Sequence, residues 1–439
     1  MSLSQRSRRM NTRAKVTLMV VSGVIVGLLL AVMGWVRVNS RDIAPPDVSD
    51  LLMDTVEVSD EDNAFTCFRE AAEKFEWPAD ESRVNSILLD GEWDDAFVAD
   101  LLSRNAETLA QLGRGLTCPA YQPYGDSTSR PPTPSFLWAD GMSWLMTLKA
   151  MQEQRAGRTE RIWQSCFDQC RLGSLIAAHP RATVEYMLGL IVLARGFDEA
   201  ERLLRESSPD EAELVELLNQ LNRIGPQDQG LVRVVKAYFQ FLSDAIDNSG
   251  SGTARASQRG GRLLRPNRTK DTCAQFCRTV IQDASRPYTQ VHLPVVQPVR
   301  IDGIHRYLLF LRPDSEDRLF VKLLLSPDQM KGLLTSKCNA QGHLDGLRLV
   351  VACLLYEIRH GQLPETLDAL VPEYLGEVPR DPFDGKPFRY LPTRAAVYCV
   401  GADLTDSFAS TGPASDAHLP ELAPRSSDDL VYPIHAKAR

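Results

Sequence analysis

No H-E-x-x-H, G-x-S-x-G, Walker A or G-x-G-x-x-G stretch occurs in the 439 residues. Their absence removes the zinc-peptidase, nucleophile-elbow, P-loop and dinucleotide-binding readings that a short motif can carry. Histidine is scarce: His179, His292, His305, His343, His360, His418 and His435 are scattered, with no pair at ligand spacing. Side-by-side acids such as Asp94-Asp95 and Asp428-Asp429 face different ways and read as solvated charge. A triad assembled only in three dimensions leaves no local trace, so a hydrolase with a nonlocal site stands as one alternative. Concentrated positive charge is lacking too. Seven of the 49 basic residues precede Asp42, the first acid; the 42 that remain face 57 acids, a net of −15. Such a body is a poor match for nucleic acid, which calls for a basic face, and no nucleic-acid partner is expected.

What the sequence does have is one long uncharged run, residues 16–36, VTLMVVSGVIVGLLLAVMGWV. About 20 apolar residues are what a helix needs to cross a ~30 Å hydrocarbon core. Arg6, Arg8, Arg9, Arg13 and Lys15 precede it, an asymmetry that holds the amino terminus inside. The expectation is a transmembrane anchor running from Val16 to Trp35 and beyond, rather than a cleaved signal, whose apolar core is shorter. The chain would then be a single-pass inner-membrane protein with its bulk extracytoplasmic. Gly23, Gly27 and Ala31 recur every four residues, a spacing that lets two membrane helices approach and form a homodimer.

Nine cysteines leave at least one unpaired. Cys166 and Cys170, and Cys273 and Cys277, share a C-x3-C spacing that puts each pair on one helical face. Packed antiparallel, the two helices could be stapled as Cys166–Cys277 and Cys170–Cys273. That pattern resembles the twin C-x3-C hairpins of small intermembrane-space chaperones, whose intervening segment is far shorter. Zinc on four thiolates and four buried free thiols are the alternatives.

Composition is globular, with 44% hydrophobic and 24% charged residues, and the chain is long enough for two or three domains. Residues 1–15 read as a basic cytoplasmic tail, 16–36 as the transmembrane helix and 37–60 as a stalk. Residues 61–248 form a helical domain. Within it, apolar residues at steps of three and four mark helices over 94–113, 136–156, 159–178, 181–194, 198–206 and 229–247. Pro209-Asp210-Glu211 sets proline and acids at a helix start. Leu188-Gly189, Gly196-Phe197-Asp198-Glu199-Ala200 and Pro209 resemble one tetratricopeptide repeat. The match is one residue short and does not recur, so the stretch reads as a helical hairpin of that general kind. Residues 249–271, rich in Gly, Ser and Arg, form a flexible linker, and 272–342 a mixed connecting region with apolar runs at 307–311 and 320–325.

Residues 343–361 are an amphipathic helix with Gly361 as its left-handed stop. Pro364 to Pro372 follows as a short helix, then Asp381-Pro382-Phe383-Asp384-Gly385-Lys386-Pro387-Phe388-Arg389-Tyr390 as a turn between two phenylalanines, then Ala396 to Asp403 as a strand leading into a loop. In this order residues 343–406 resemble the globular part of major pseudopilins of type II secretion systems, through Gly361, Pro364, Asp381, Pro382, Gly385, Pro387, Tyr390, Gly401 and Asp403. The match covers about a seventh of the chain. No prepilin cleavage motif precedes Val16, and the calcium loop expected after Asp403 keeps Asp403 and Asp406 but loses its glycines. Asp403 and Asp406 are therefore weak metal candidates, and no cofactor is expected. The same C-terminal pattern is similar to that of a broad group of uncharacterised, membrane-anchored bacterial proteins. Residues 407–439 read as a disordered tail.

The expected fold is mainly α: an N-terminal transmembrane helix, a helical bundle or α-solenoid ectodomain, and a small α+β pseudopilin-like module at 343–406. The expected function is an exported scaffold or protein-interaction module with protein partners. The alternatives are an accessory part of a secretion or pilus-like apparatus and an envelope hydrolase.

Overall fold

The computed structural model describes residues 12–39, 41–53, 58–123, 137–207, 209–225, 228–250, 265–293, 327–409 and 429–435. Its helices are α1 (Thr12–Asn39), α2 (Ala64–Lys74), α3 (Glu81–Asn85), α4 (Asp95–Arg104), α5 (Ala106–Thr117), α6 (Leu137–Arg155) and α7 (Thr159–Ala178). They continue with α8 (Thr183–Glu206), α9 (Glu211–Arg223), α10 (Asp228–Gly250), α11 (Pro266–Asp283) and α12 (Pro327–His360). The strands are β1 (Arg389–Leu391), β2 (Ala396–Cys399) and β3 (Leu430–Pro433). Several helices start where a short polar side chain caps the first turn. Asn63 accepts the Phe65 amide at α2, Asp80 that of Ser82 at α3, and Asp94 that of Phe97 at α4. Asp210 and Glu213 form a capping box at α9; of the residues anticipated there, Asp210 is the cap and Glu211 opens the helix, whereas Pro209 lies before the cap and not in the first turn.

The chain divides into two compact units, with boundaries inside α10 at Leu242 and inside α11 at Gln275. The smaller unit holds α1 and the adjoining parts of α10 and α11. In it, the Asp42 carboxylate accepts the backbone amides of Asn267 at 2.8 Å and Arg268 at 3.0 Å, placing an acid on the positive end of α11. The expected linker is thus partly helical, since α11 begins at Pro266. The apolar side chains described on α1 are exposed, save half-buried Val32. The transmembrane expectation is corrected here: among the described residues no helix is long and apolar enough to cross a membrane.

The larger unit is built on the α7–α8 hairpin, two antiparallel helices in contact along most of their length. Glycine permits the approach. A methyl group on Gly173 would run into the backbone of Leu193, and one on Gly196 into Cys170. This explains why α8 does not end at Gly196, where the sequence pattern suggested a break; the residue is a packing notch inside one continuous helix. A second correction concerns 94–113. That stretch is two helices, interrupted at buried Asn105, whose amide donates to the carbonyls of Glu76 and Leu101 at 3.0 and 3.1 Å. Side-chain bonding of this kind competes with the helix ladder and breaks it.

Helix α12 is longer than its sequence signal and joins the helical stack to the sheet. One face packs on α8 and α9, the other on β2 and β3, and a continuous core runs from Cys170 and Phe197 through Leu347 and Val350 to Val397 and Tyr432. Gly346 leaves room for the Tyr432 ring. His343 lies between the rings of Phe197 and Tyr432, each 5.4 Å away, with Nε2 3.0 Å from Glu201. Gly361, at φ 75°, closes the helix as its position implies. The sheet is antiparallel in the order β1-β2-β3, with Arg389 opposite Tyr398 and Tyr398 opposite Val431. Its third strand lies in the stretch expected to be a disordered tail: Leu430 to Pro433 pair with β2. The apolar runs at 307–311 and 320–325 lie outside the described residues.

Candidate functional site: an arginine clasp and the loop it fastens

Arg389, on β1, is the centre of a cluster of four charged side chains in the C-terminal module. Its Nη1 donates to Asp381 at 2.6 Å, Nη2 to Asp384 at 2.6 Å and Nε to Asp406 at 3.0 Å. One planar guanidinium thus ties the 381–385 turn to the loop after β2, using the fork geometry that suits arginine to carboxylates. The carboxylates are held on their other sides by backbone amides. Asp381, fully buried, accepts from Phe383 at 2.8 Å and Val400 at 2.9 Å. Asp384 accepts from Lys386 at 3.0 Å, and Asp406 from Phe408 at 3.0 Å and the Tyr398 hydroxyl at 3.3 Å. The turn itself is the predicted Asp-Gly type, with Gly385 at φ 78°.

Burial and pairing pull these acids apart. Burial pushes Asp381 above the ordinary carboxylate range despite its amide bonds and the arginine. Burial also raises Asp384 and Asp406, but their amide bonds and Arg389 outweigh it and leave both below their ordinary values. Arg389 is half-buried, a placement that favours its neutral form, yet the three acids hold it above its own ordinary value.

The loop 401–409 is fastened as much as the turn is. Asp403 accepts the Thr405 amide at 3.0 Å, and Asp429 accepts those of Ser407 at 3.1 Å and Ala409 at 2.9 Å. Arg394 donates to the carbonyls of Phe408 and Ala409, both at 3.3 Å. Asp429 is therefore not the solvated charge its neighbourhood suggested; it is buried and anchors the loop. So held, Leu404, Phe408 and Ala409 adopt left-handed φ values of 60°, 55° and 55°, which bulky residues seldom occupy. Two of the three side chains point outward, Leu404 41% exposed and Phe408 69%.

Of the residues singled out in the sequence, Asp406 joins the clasp while Asp403 bonds only within its own loop. Among the described residues no group of three or more His, Cys, Asp or Glu is arranged to hold a metal ion. None of the nine cysteines is disulfide-bonded, and all are buried. Cys166 and Cys170 meet on α7 beside Gly196, whose carbonyl accepts from the Cys166 thiol at 3.2 Å. The contact with Cys170, together with burial, keeps that thiol protonated well above its ordinary value. Cys273 and Cys277 lie on α11, and burial pushes Cys273 up to about 12. Gly23 and Gly27 on α1 have open space around them; the side chains of Val16 and Trp35 lie outside the described ones. Sequence reasoning missed Arg389 and Asp429. The available signal was Arg389 alternating with Phe388 and Tyr390 just beyond two acids of the turn.

Comparison of the chain with protein-family models, with curated proteins and with solved structures gives no match.

Proposed function

We propose that the chain is a protein-interaction scaffold, with the 401–409 loop as a contact point of its C-terminal module. The observation that carries this is the combination of a fastened backbone and two exposed apolar side chains. Binding costs less when the contacting segment is already ordered, and a few large side chains carry most of the energy of an interface. Leu404 and Phe408 are presented in that way, on a loop tied down by Arg389, Arg394 and Asp429. Placing a photo-crosslinking residue at position 404 in cells tests the idea. A discrete adduct is expected, lost on Phe408→Ser and not formed from Glu216 on the exposed face of α9. Equal labelling from both positions, or none from 404, counts against it.

A second reading, an accessory part of a secretion or pilus-like apparatus, is supported by residues 343–406. The order of long helix, Gly361 stop, Asp-Gly turn and strand leading to Gly401 follows the pseudopilin-like pattern. That reading carries with it an extracytoplasmic address for the body of the chain. Co-purification with pseudopilin-like proteins is its test; a loop partner of any other kind favours the first reading.

A further inference from the structure

Away from the clasp, a cavity of about 260 Å³ opens between α5, α6 and α7. Its floor is apolar: Leu112, Leu116 and Met146 are buried there, and Leu109 is half-buried. The polar wall comes from Asp168, Gln164 and Ser165 on α7 and from Glu153 and Lys149 on α6. Most of that wall is already engaged. Glu153 pairs with Arg158, and the Ser165 hydroxyl donates to the Met146 carbonyl at 3.1 Å. Asp168 differs. One oxygen accepts from the Gln164 amide at 2.8 Å, and among the described residues no cation lies within ion-pairing distance of it. A carboxylate offers about four acceptor positions, so half-buried Asp168 keeps acceptor capacity beyond the Gln164 bond.

We propose that this cavity is a binding site for a small organic cation, an apolar body carrying one primary ammonium, with Asp168 as the counter-charge. An engineered cavity of ~150 Å³ holds a benzene molecule. The larger volume here therefore suits a ring with a short aminoalkyl arm, its ring on the leucine floor and its ammonium on Asp168. Burial raises Asp168 above the ordinary carboxylate range, against the pull of Lys149 and Arg171. An incoming ammonium would offset that penalty with a charge-assisted hydrogen bond, roughly twice as strong as a neutral one. An anionic ligand would meet Asp168 and the Arg158-paired Glu153 with only Lys149 to attract it, and a neutral one would leave Asp168 without a cation.

Calorimetric titration of the full-length chain at pH 7.5 with 2-phenylethylamine, and separately with 2-phenylethanol, tests the assignment. The amine is expected to bind at least about tenfold more tightly than the alcohol, the margin of a single charged contact. Asp168→Asn should erase that preference while leaving the alcohol's affinity unchanged. Gly113 lines the same cavity on α5, and a Cβ added there meets nothing within 4 Å. Gly113→Leu should therefore fill the mouth and abolish binding of both probes without lowering the thermal midpoint. Equal affinity for amine and alcohol, undiminished binding by Gly113→Leu, or no binding by the wild-type chain would each overturn the proposal. If Gly113→Leu proves unstable, the Asp168→Asn comparison decides alone.

Discussion

The α7–α8 hairpin and the C-terminal sheet belong to one compact unit and share a core through α12, yet they are held by opposite means. The hairpin is closed by the absence of side chains: Gly173 and Gly196 let two backbones touch, and the contact is apolar and uncharged. In the sheet module a single guanidinium gathers three carboxylates, and backbone amides take up the remaining acceptors. The first arrangement depends on volume and should ignore pH and salt. The second depends on charge state, and losing one partner strands the others in a poorly solvated place.

Removing the guanidinium is the harshest way to break this comparison. Arg389→Ala leaves fully buried Asp381 without its counter-charge, and breaking such a pair costs about 3–5 kcal/mol. Urea unfolding measures the loss, and a change below about 1 kcal/mol would mean that the clasp is ornamental. Overfilling the hairpin is next. Gly173→Leu pushes α7 off α8, at a cost of about 3 kcal/mol, and unlike the first variant it should cost the same at pH 5 and pH 8.

Titration sharpens the contrast without mutation. Asp384 and Asp406 sit below their ordinary values, so their contribution to folding is complete above the ordinary carboxylate range and is lost as pH falls through their folded values. Asp381 and Asp429, raised chiefly by burial, act in the reverse sense; folding favours their protonated forms, an advantage lost as pH rises through their folded values. The loop segment on Asp406 should therefore loosen in acid before the hairpin does. Hydrogen-exchange protection of the Phe408 amide, followed from pH 6 to pH 3 beside that of Leu193, measures this; parallel losses would contradict it. The smallest expected effect is that of calcium. With Arg389 in place, calcium should not move the wild-type melting midpoint. In Arg389→Ala the vacated carboxylates should accept the ion, and the midpoint should rise. A rise in the wild type would show that the arginine does not fill the site.

The helices were legible where one residue type does one job. Apolar spacing located α6, α7 and α10 to within a few residues, and Asp210 and Gly361 marked a start and a stop through capping chemistry that is local by nature. Glycine misled at 196, because the same residue that ends a helix also admits a neighbour, and only the position of Cys170 separates the two uses. Asn105 misled for a similar reason, its helix-breaking bonds reaching back to Glu76. The third strand went unseen because four residues beyond a polar stretch carry no periodic signal, and their pairing with β2 is a long-range fact. Residues 16–36 had the composition of a membrane span, yet among the described residues no helix is long and apolar enough to cross a membrane. The clasp was half legible. Its turn was visible as Asp381 to Gly385, whereas Arg389 carried no mark of its role, and neither did Asp429, the acid that fastens the loop beside it.

The nine sequestered thiols give the molecule an internal record of how it comes apart. An intact chain should be inert to a bulky maleimide, since no sulfur is presented to solvent. Cys67 reports on the α2–α5 layer, Cys170 on the hairpin and Cys399 on the sheet. The order in which these three acquire label under rising urea would read out which layer yields first, with no probe added to the protein.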